Sequence, residues 1–89
     1  MKYTKEGIAA TVRQIITDLV GYGHTEITDE KSLDTDLGID LLGKVELALD
    51  AEERFDISIS DKEAVETNTV GALIGIVVRK LEEKGEVAA

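Results

Sequence analysis

Apolar residues recur at helical spacing in two long stretches, one towards each end of the chain, and this pattern restricts the fold more than any other feature. In residues 5–20 the pattern comprises Ile8, Val12, Ile15, Ile16 and Leu19. After Thr69 it comprises Val70, Leu73, Ile74, Val77, Val78 and Leu81. Each stretch therefore predicts an amphipathic helix with one buried face. Thr4 and Thr69 are the expected N-caps, and Gly21-Tyr22-Gly23 is the expected end of the first helix.

A further helix is predicted for residues 41–54, with Asp40 as its N-cap and Phe55 at its end. A long polar connection, from about residue 21 to residue 40, separates it from the first helix. Four apolar residues in this connection are spaced as anchors that could pin it to the bundle: Ile27, Leu33, Leu37 and Ile39. A loop of this length is unusual in a small domain and often carries function.

Residues 57–60 alternate like a β-strand, but four residues without an evident partner do not make a sheet. We therefore expect an extended connector with Ile57 or Ile59 facing the core. Ser60 or Asp61 then caps a short helix that runs to about Glu66. The pattern predicts an all-α fold of three substantial helices and one short helix.

The chain has 89 residues, which predicts a single domain over residues 1–89. Its last residues, 85–89, are expected to fray. The N-terminus turns polar before an apolar segment of a secretory signal can form, and the apolar runs are too short for a membrane span. The cytoplasm is therefore the expected location.

The formal net charge is −9, from 19 acidic and 10 basic residues. Such a charge repels phosphate backbones and anionic membranes, so it argues against nucleic-acid binding and favours partners with basic patches. The three aromatic residues, Tyr3, Tyr22 and Phe55, provide no stacking platform for bases. The charge also favours a monomer.

The residue types and their spacing do not indicate catalysis or metal binding. The one histidine, His24, lies in a glycine-rich loop and is expected to be solvated, and the chain has no cysteine. A calcium-binding loop beginning at Asp34 would need an oxygen ligand at Gly38 and glutamate at Val45, so this match fails. We expect no catalytic residue and no metal site.

The predicted second helix carries two apolar stripes, which is more apolar surface than one core needs. One stripe comprises Leu47, Ala51 and Phe55. The other comprises Leu42, Val45 and Leu49 and lies about 150° away around the helix axis. An acidic ridge between them comprises Glu46, Asp50 and Glu53. An exposed apolar strip beside carboxylates is typical of a protein-binding surface. The alternatives are that a bent bundle buries both stripes and that the ridge is only a solvated face.

Residues 36–42, Asp-Leu-Gly-Ile-Asp-Leu-Leu, resemble the signature D-x-G-x-D-S-L of the acyl carrier protein family except at one position. The run Val45-Glu46-Leu47, residues 52–61 and Thr69-Val70-Gly71 are also similar to that family in order and spacing. The resemblance implies a four-helix up-and-down bundle with a short third helix and a long loop after helix one. This agrees with the helices expected from the apolar pattern.

The resemblance also implies a carrier function in fatty acid, polyketide or related lipid biosynthesis. Members of the family bear a phosphopantetheine arm on a serine at the start of the second helix, which corresponds to Leu41, directly after Asp40. Acyl chains ride on the arm as thioesters and can fold back into the bundle. The implied partners are the basic docking surfaces of phosphopantetheinyl transferase and of acyl-transferring or synthase enzymes. The implied docking contacts are Leu42, Val45, Glu46, Leu49, Asp50 and Glu53.

Leu41 departs from the family because leucine has no hydroxyl to attack the pyrophosphate of coenzyme A. The other serines, Ser32, Ser58 and Ser60, lie outside the signature, so the chain is expected to remain in the arm-less form. Leu41 could be an introduced change, a natural change in a carrier-like interaction or regulatory module, or part of a branch with other chemistry. An exposed leucine there should alter stability by no more than about 0.5 kcal/mol. It also lengthens the apolar strip, which could promote self-association.

Three smaller features accompany this departure. Ser60 stands where the family often has proline, and Thr67 where an aliphatic residue commonly lines the acyl cavity. Gly43 costs a helix on the order of 1 kcal/mol against alanine, but it permits close approach near the start of the helix.

Overall fold

The structure, a computed structural model, describes residues 2–21 and 26–88. These residues form four helices: α1 (Lys5–Val20), α2 (Leu41–Phe55), α3 (Asp61–Glu66) and α4 (Val70–Glu83). The only β-pairing within the same residues consists of two isolated bridges. The prediction of an all-α bundle with a short third helix and a long loop after helix one is confirmed. None of the helices so described is long and apolar enough to cross a membrane.

Each helix begins at a side chain that caps it. The caps are Thr4, Asp40, Ser60 and Thr69, whose side chains accept hydrogen bonds from the backbone N–H groups of Gly7, Gly43, Glu63 and Ala72. Such bonds satisfy donors that the first turn of a helix otherwise leaves unpaired. Ser60, rather than Asp61, caps α3, and the Glu63 side chain accepts in return from the Ser60 backbone N–H to complete a capping box. The predicted helix starts are therefore confirmed.

One core unites the helices, because α1 packs against α2 and α4 while α2 packs against α3. The buried residues of the two long amphipathic stretches are Ile8, Val12, Ile15, Ile16, Val70, Leu73, Val77 and Leu81. Ile74 and Val78 are only partly buried at its edge. Ile57 and Ile59 are both buried, so both residues of the extended connector face the core. The predicted faces of α1 and α4 are confirmed except at Leu19.

Leu19 lies outside the core, contrary to the prediction from its position in the apolar pattern. Its side chain is 38% exposed. It lies in the last turn of α1, where it lines an open pocket with residues 37–40 and the start of α2. The helical period places Leu19 on the same side of α1 as the core residues, but the other described residues cover its side chain only in part.

The long connection, described from Glu26 onwards, is a strap held under the start of α4. Leu33, Leu37 and Ile39 are buried, and Ile27 packs partly against the core. The backbone N–H groups of Val70 and Gly71 donate to the carbonyl oxygens of Lys31 and Asp29, at 3.1 and 2.8 Å. The predicted anchors are therefore confirmed. The predictions for Tyr22, Gly23 and His24 concern residues outside the described ones.

The prediction that the C-terminal tail frays is wrong for residues 85–88, and residue 89 lies outside the described residues. The backbone N–H groups of Lys2 and Tyr3 donate to the Glu86 carbonyl oxygen at 3.1 and 2.9 Å, and that of Ala88 donates to the Tyr3 carbonyl oxygen at 2.7 Å. The Tyr3 ring also meets the Phe55 ring edge-on, with centroids 5.3 Å apart. The two ends of the chain thus hold each other in place.

Candidate functional site

The start of α2 is rigidly built, and it presents Leu41 to solvent. Asp40 accepts from the Gly43 backbone N–H at 2.8 Å, which fixes the first turn. Leu41, the first residue of the helix, is 60% exposed. Gly43 is needed here because a Cβ atom at this position would lie 2.7 Å from Cγ2 of the buried Ile39. The close approach that Gly43 permits is therefore between the strap and α2.

The bundle buries one stripe of α2 and leaves most of the other exposed. Leu47, Ala51 and Phe55 are buried together with Ala48. Leu42 is 68% exposed and Leu49 is 53% exposed, whereas Val45 is partly buried. The alternative that a bent bundle covers both stripes is therefore excluded. With Leu41, the exposed residues form an outer apolar strip of Leu41, Leu42 and Leu49.

The acidic ridge of α2 lies beside this strip and carries free negative charge. Glu46, Asp50 and Glu53 are all exposed. Within residues 2–21 and 26–88, none of the three forms an ion pair. Of the two cations on α2, Arg54 contacts Asp18 of α1 at 3.5 Å, and Lys44 is buried on the other side of the helix. The ridge can therefore pair with cations supplied from outside.

Lys44 is the residue of this region that the sequence analysis missed. It is only 6% exposed, and its Nζ donates to the Val65 carbonyl oxygen at 3.4 Å and to Asn68 Oδ1 at 3.3 Å. These bonds tie α2 to the segment that joins α3 and α4. The available signal was the spacing of Lys44 from Ala48 and Ala51, because residues i, i+4 and i+7 share one face of a helix.

A pocket of about 440 Å³ lies between the end of α1, residues 37–40 and the start of α2. Its aliphatic walls include Leu19, Val20, Leu37 and Leu42, and Asp40 and Glu46 supply carboxylates. It adjoins the outer apolar strip through Leu42. The site therefore combines an exposed helix start, an apolar strip, an acidic ridge and an adjacent pocket.

The chemistry available at the start of α2 is binding rather than nucleophilic attack. The side chain of Leu41 has no heteroatom. The serines lie away from the start of α2, as predicted: Ser60 caps α3, and Ser32 Oγ donates to Asp34 Oδ1 at 2.6 Å. Ser58 is exposed on the connector between α2 and α3. Among the residues that the structure describes, no group of three or more His, Cys, Asp or Glu side chains could hold a metal ion.

Thr67 is buried in the segment after α3, and its hydroxyl donates to the Glu63 carbonyl oxygen at 2.7 Å. The hydrogen bond satisfies the polar group inside the bundle. Thr67 and Lys44 together make this side of the bundle interior more polar than it would be with aliphatic side chains at these positions.

Comparisons with known proteins agree on one family. Residues 10–77 match the family model described as "Phosphopantetheine attachment site". An acyl carrier protein of an Exiguobacterium species is 40% identical over 78 residues, which cover 88% of this chain and 99% of that protein. The meromycolate extension acyl carrier protein of Mycobacterium tuberculosis is 38% identical over 89 residues, covering 100% of this chain and 76% of its own length. The crystal structure of an acyl carrier protein from Thermotoga maritima superposes with a TM-score of 0.74 at 26% identity, covering 90% of this chain and 93% of that one.

Proposed function

This chain belongs to the acyl carrier protein family, and from that membership we propose that it is a carrier scaffold that stays in the arm-less form. The family carries its acyl groups on phosphopantetheine. The proposal rests on one observation: Leu41, at the position of the attachment serine, is exposed at the first residue of α2 and offers no oxygen.

The surroundings of Leu41 fit the prosthetic group, whereas Leu41 itself does not. Asp40 precedes it and caps the helix, and the side chain at position 41 is accessible to a transferring enzyme. Forming the phosphodiester bond requires a hydroxyl, and an isobutyl group has none. The scaffold thus keeps the shape for attachment without the chemistry, and no step through the arm follows for this chain.

The partners that we propose are enzymes with basic docking surfaces, namely phosphopantetheinyl transferase and the acyl-transferring or synthase enzymes of fatty acid, polyketide or related lipid biosynthesis. The proposed contacts are Leu42, Val45, Glu46, Leu49, Asp50 and Glu53. Exposed apolar area beside carboxylates that form no ion pair with other described residues supports this surface, because complementary charge speeds encounter and apolar contact holds the complex. We propose no catalytic role for the protein itself, and a cytoplasmic monomer as its working form.

A second function is favoured by the same leucine. An apolar residue at the attachment position extends the exposed strip from Leu42, so the chain could bind carrier partners as an interaction or regulatory module without ever being loaded. In this case the docking surface is retained and restoring a serine is irrelevant to its role.

The experiment that tests the proposal is intact-mass measurement after incubation with coenzyme A and a broad-specificity phosphopantetheinyl transferase. Three chains are compared: the unaltered chain, Leu41→Ser, and the matched control Leu42→Ser, which places a hydroxyl one residue further along the same exposed strip. We expect only Leu41→Ser to gain the mass of the arm.

Each other outcome points elsewhere. If none of the chains gains the arm, the carrier scaffold is not recognised and the interaction module is favoured. If the unaltered chain is modified, position 41 is not the attachment position. If Leu42→Ser is also modified, transfer does not depend on the geometry at the start of α2.

A further inference from the structure

Lys44 places a cation inside the bundle, and no carboxylate of the described residues balances it. The residue is only 6% exposed, and within residues 2–21 and 26–88 it forms no ion pair. Its Nζ donates instead to two neutral oxygens, the Val65 carbonyl oxygen at 3.4 Å and Asn68 Oδ1 at 3.3 Å. Because a buried ammonium group is costly unless it is hydrogen-bonded, these two acceptors fix where the end of the side chain lies.

The Lys44 side chain spans the interface between α2 and the segment that follows α3. It starts on the buried face of α2, one turn before Ala48. Its two acceptors flank Thr67 in the chain, and Thr67 is itself buried, with its hydroxyl bonded to the Glu63 carbonyl oxygen at 2.7 Å. We call Lys44, Thr67 and Asn68 the polar seam. Hydrogen-bonded polar groups therefore lie in an interface between helices.

The polar seam is also joined to the strap, so it cannot open by itself. The Asn68 carbonyl oxygen accepts from the Leu33 backbone N–H at 2.9 Å, while the side chain of the same residue accepts from Lys44. The next residue, Thr69, forms an isolated antiparallel bridge with Ser32. A group that pushes α2 away from this segment therefore disturbs several hydrogen bonds at once.

We infer that Lys44 determines which cargo this scaffold can hold, because it closes the interface between α2 and the α3–α4 segment to a hydrocarbon chain. An apolar chain entering there would separate the ammonium group from both acceptors and leave it buried without hydrogen bonds, which is strongly unfavourable. The family resemblance implies that acyl chains can fold back into the bundle. In this chain a long acyl group would instead remain outside the polar seam.

The inference goes beyond the proposed function, because it concerns the interior of the bundle and not the attachment position. Leu41 removes the oxygen for attachment, whereas Lys44 and Thr67 make the interior polar. A single introduced change at position 41 does not account for Lys44. Two separate departures that both concern the cargo favour a scaffold that acts without cargo.

The test attaches a hydrocarbon chain at position 41 without using a transferase. The sequence has no cysteine, so Leu41→Cys gives a single thiol. Octyl methanethiosulfonate converts this thiol into a mixed disulfide that carries an octyl chain, and the methyl reagent gives the matched control. Residues three apart are neighbours on a helix surface, so a chain attached at position 41 can reach Lys44.

The octyl and methyl forms are compared by their thermal unfolding midpoints and by the amide chemical shifts of Ala64 and Thr67. In Leu41→Cys we expect equal midpoints and equal shifts for the two forms. When Lys44→Ala is added, the octyl form should unfold about 5 °C higher than the methyl form, because a chain that binds only the folded state stabilises it. Lys44→Met, which keeps the length but not the cation, should also give a rise. The control Lys62→Ala, at an exposed position of α3, should give none.

The other outcomes overturn the inference. A rise in the variant that keeps Lys44 means that the hydrocarbon enters despite the ammonium group. Equal midpoints in every variant mean that Lys44 is not what closes the interface. A rise for Lys44→Ala but not for Lys44→Met assigns the closure to side-chain volume rather than to the hydrogen-bonded cation. None of these results depends on arm transfer, so the proposed function is tested separately by the intact-mass experiment.

Discussion

The two faces of α2 are both apolar, yet the bundle uses only one of them. The inner face, with Leu47, Ala51 and Phe55, is buried against the other helices. The outer face presents Leu42 and Leu49 to solvent beside carboxylates that the described residues leave unpaired. Burial of apolar area stabilises a fold in proportion to the area removed from water, so the inner face contributes to stability and the outer face contributes little. The contrast supports the proposal that the outer face contacts a partner.

The largest effect that this comparison predicts is a contrast between two leucines of the same helix. Leu47→Ala should lower the free energy of unfolding by about 2–5 kcal/mol, because it removes a fully buried side chain and leaves a cavity. Leu49→Ala should change it by no more than about 0.5 kcal/mol, because the side chain is half exposed. Urea denaturation followed by circular dichroism measures both. Similar losses for the two variants would remove the distinction between the faces.

The next effect concerns the first turn of α2, where a structural residue and a functional position are adjacent. Asp40→Ala should lower the free energy of unfolding by about 1 kcal/mol, because the Gly43 backbone N–H loses its acceptor. Leu41→Ser should alter it by less than about 0.5 kcal/mol. The same denaturation experiment compares them, and a larger loss for Leu41→Ser would assign Leu41 a structural role.

The third prediction concerns Glu63, which forms ion pairs with Arg79 and Lys80, unlike the carboxylates of the acidic ridge within the described residues. The Ser60 backbone N–H, and then the Lys80 ammonium group, lower the pKa of Glu63 from 4.5 to about 2. A lowered pKa means that the ionised form stabilises the fold, so this contribution is present above pH 4.5 and is lost as the pH falls towards 2. The difference in unfolding free energy between the unaltered chain and Glu63→Gln should therefore shrink over that interval. A difference that stays constant with pH would contradict the pairing.

The smallest effect on stability is expected for the acidic ridge itself. Neutralising Glu46, Asp50 and Glu53 together should change the unfolding free energy by less than about 0.5 kcal/mol, or raise it slightly by relieving repulsion within a chain of net charge −9. The same variant should lose most of its binding to a basic partner, measured by surface plasmon resonance at low salt. Unchanged binding would exclude the ridge from docking.

The parts of this fold that were predictable from sequence are those set by local chemistry. The helix bounds and the caps Thr4, Asp40, Ser60 and Thr69 follow from side chains that bond to the backbone three residues later. The two stripes of α2 follow from helical geometry alone. The sequence could also show that position 41 lacks a hydroxyl.

The parts that could not be predicted depend on which elements meet in space. The pairing of Tyr3 with Val87 joins the two ends of the chain, and no local pattern encodes it. The buried position of Lys44 was not predicted because its acceptors, the Val65 carbonyl oxygen and Asn68 Oδ1, come from a segment distant in sequence. Leu19 has a core-like position in the pattern, but its burial depends on which elements pack against the last turn of α1, and it is 38% exposed.

We propose that the outer face of α2 is a docking surface in which only the attachment chemistry is missing. Its most direct test is a titration of the isotope-labelled, unaltered chain with phosphopantetheinyl transferase, followed by the chemical shifts of its backbone amides in nuclear magnetic resonance spectra. We expect shifts concentrated at Leu42, Glu46, Leu49 and Asp50. Shifts confined to the exposed side of α4, around Ala72 and Arg79, or no shifts at all, would contradict it.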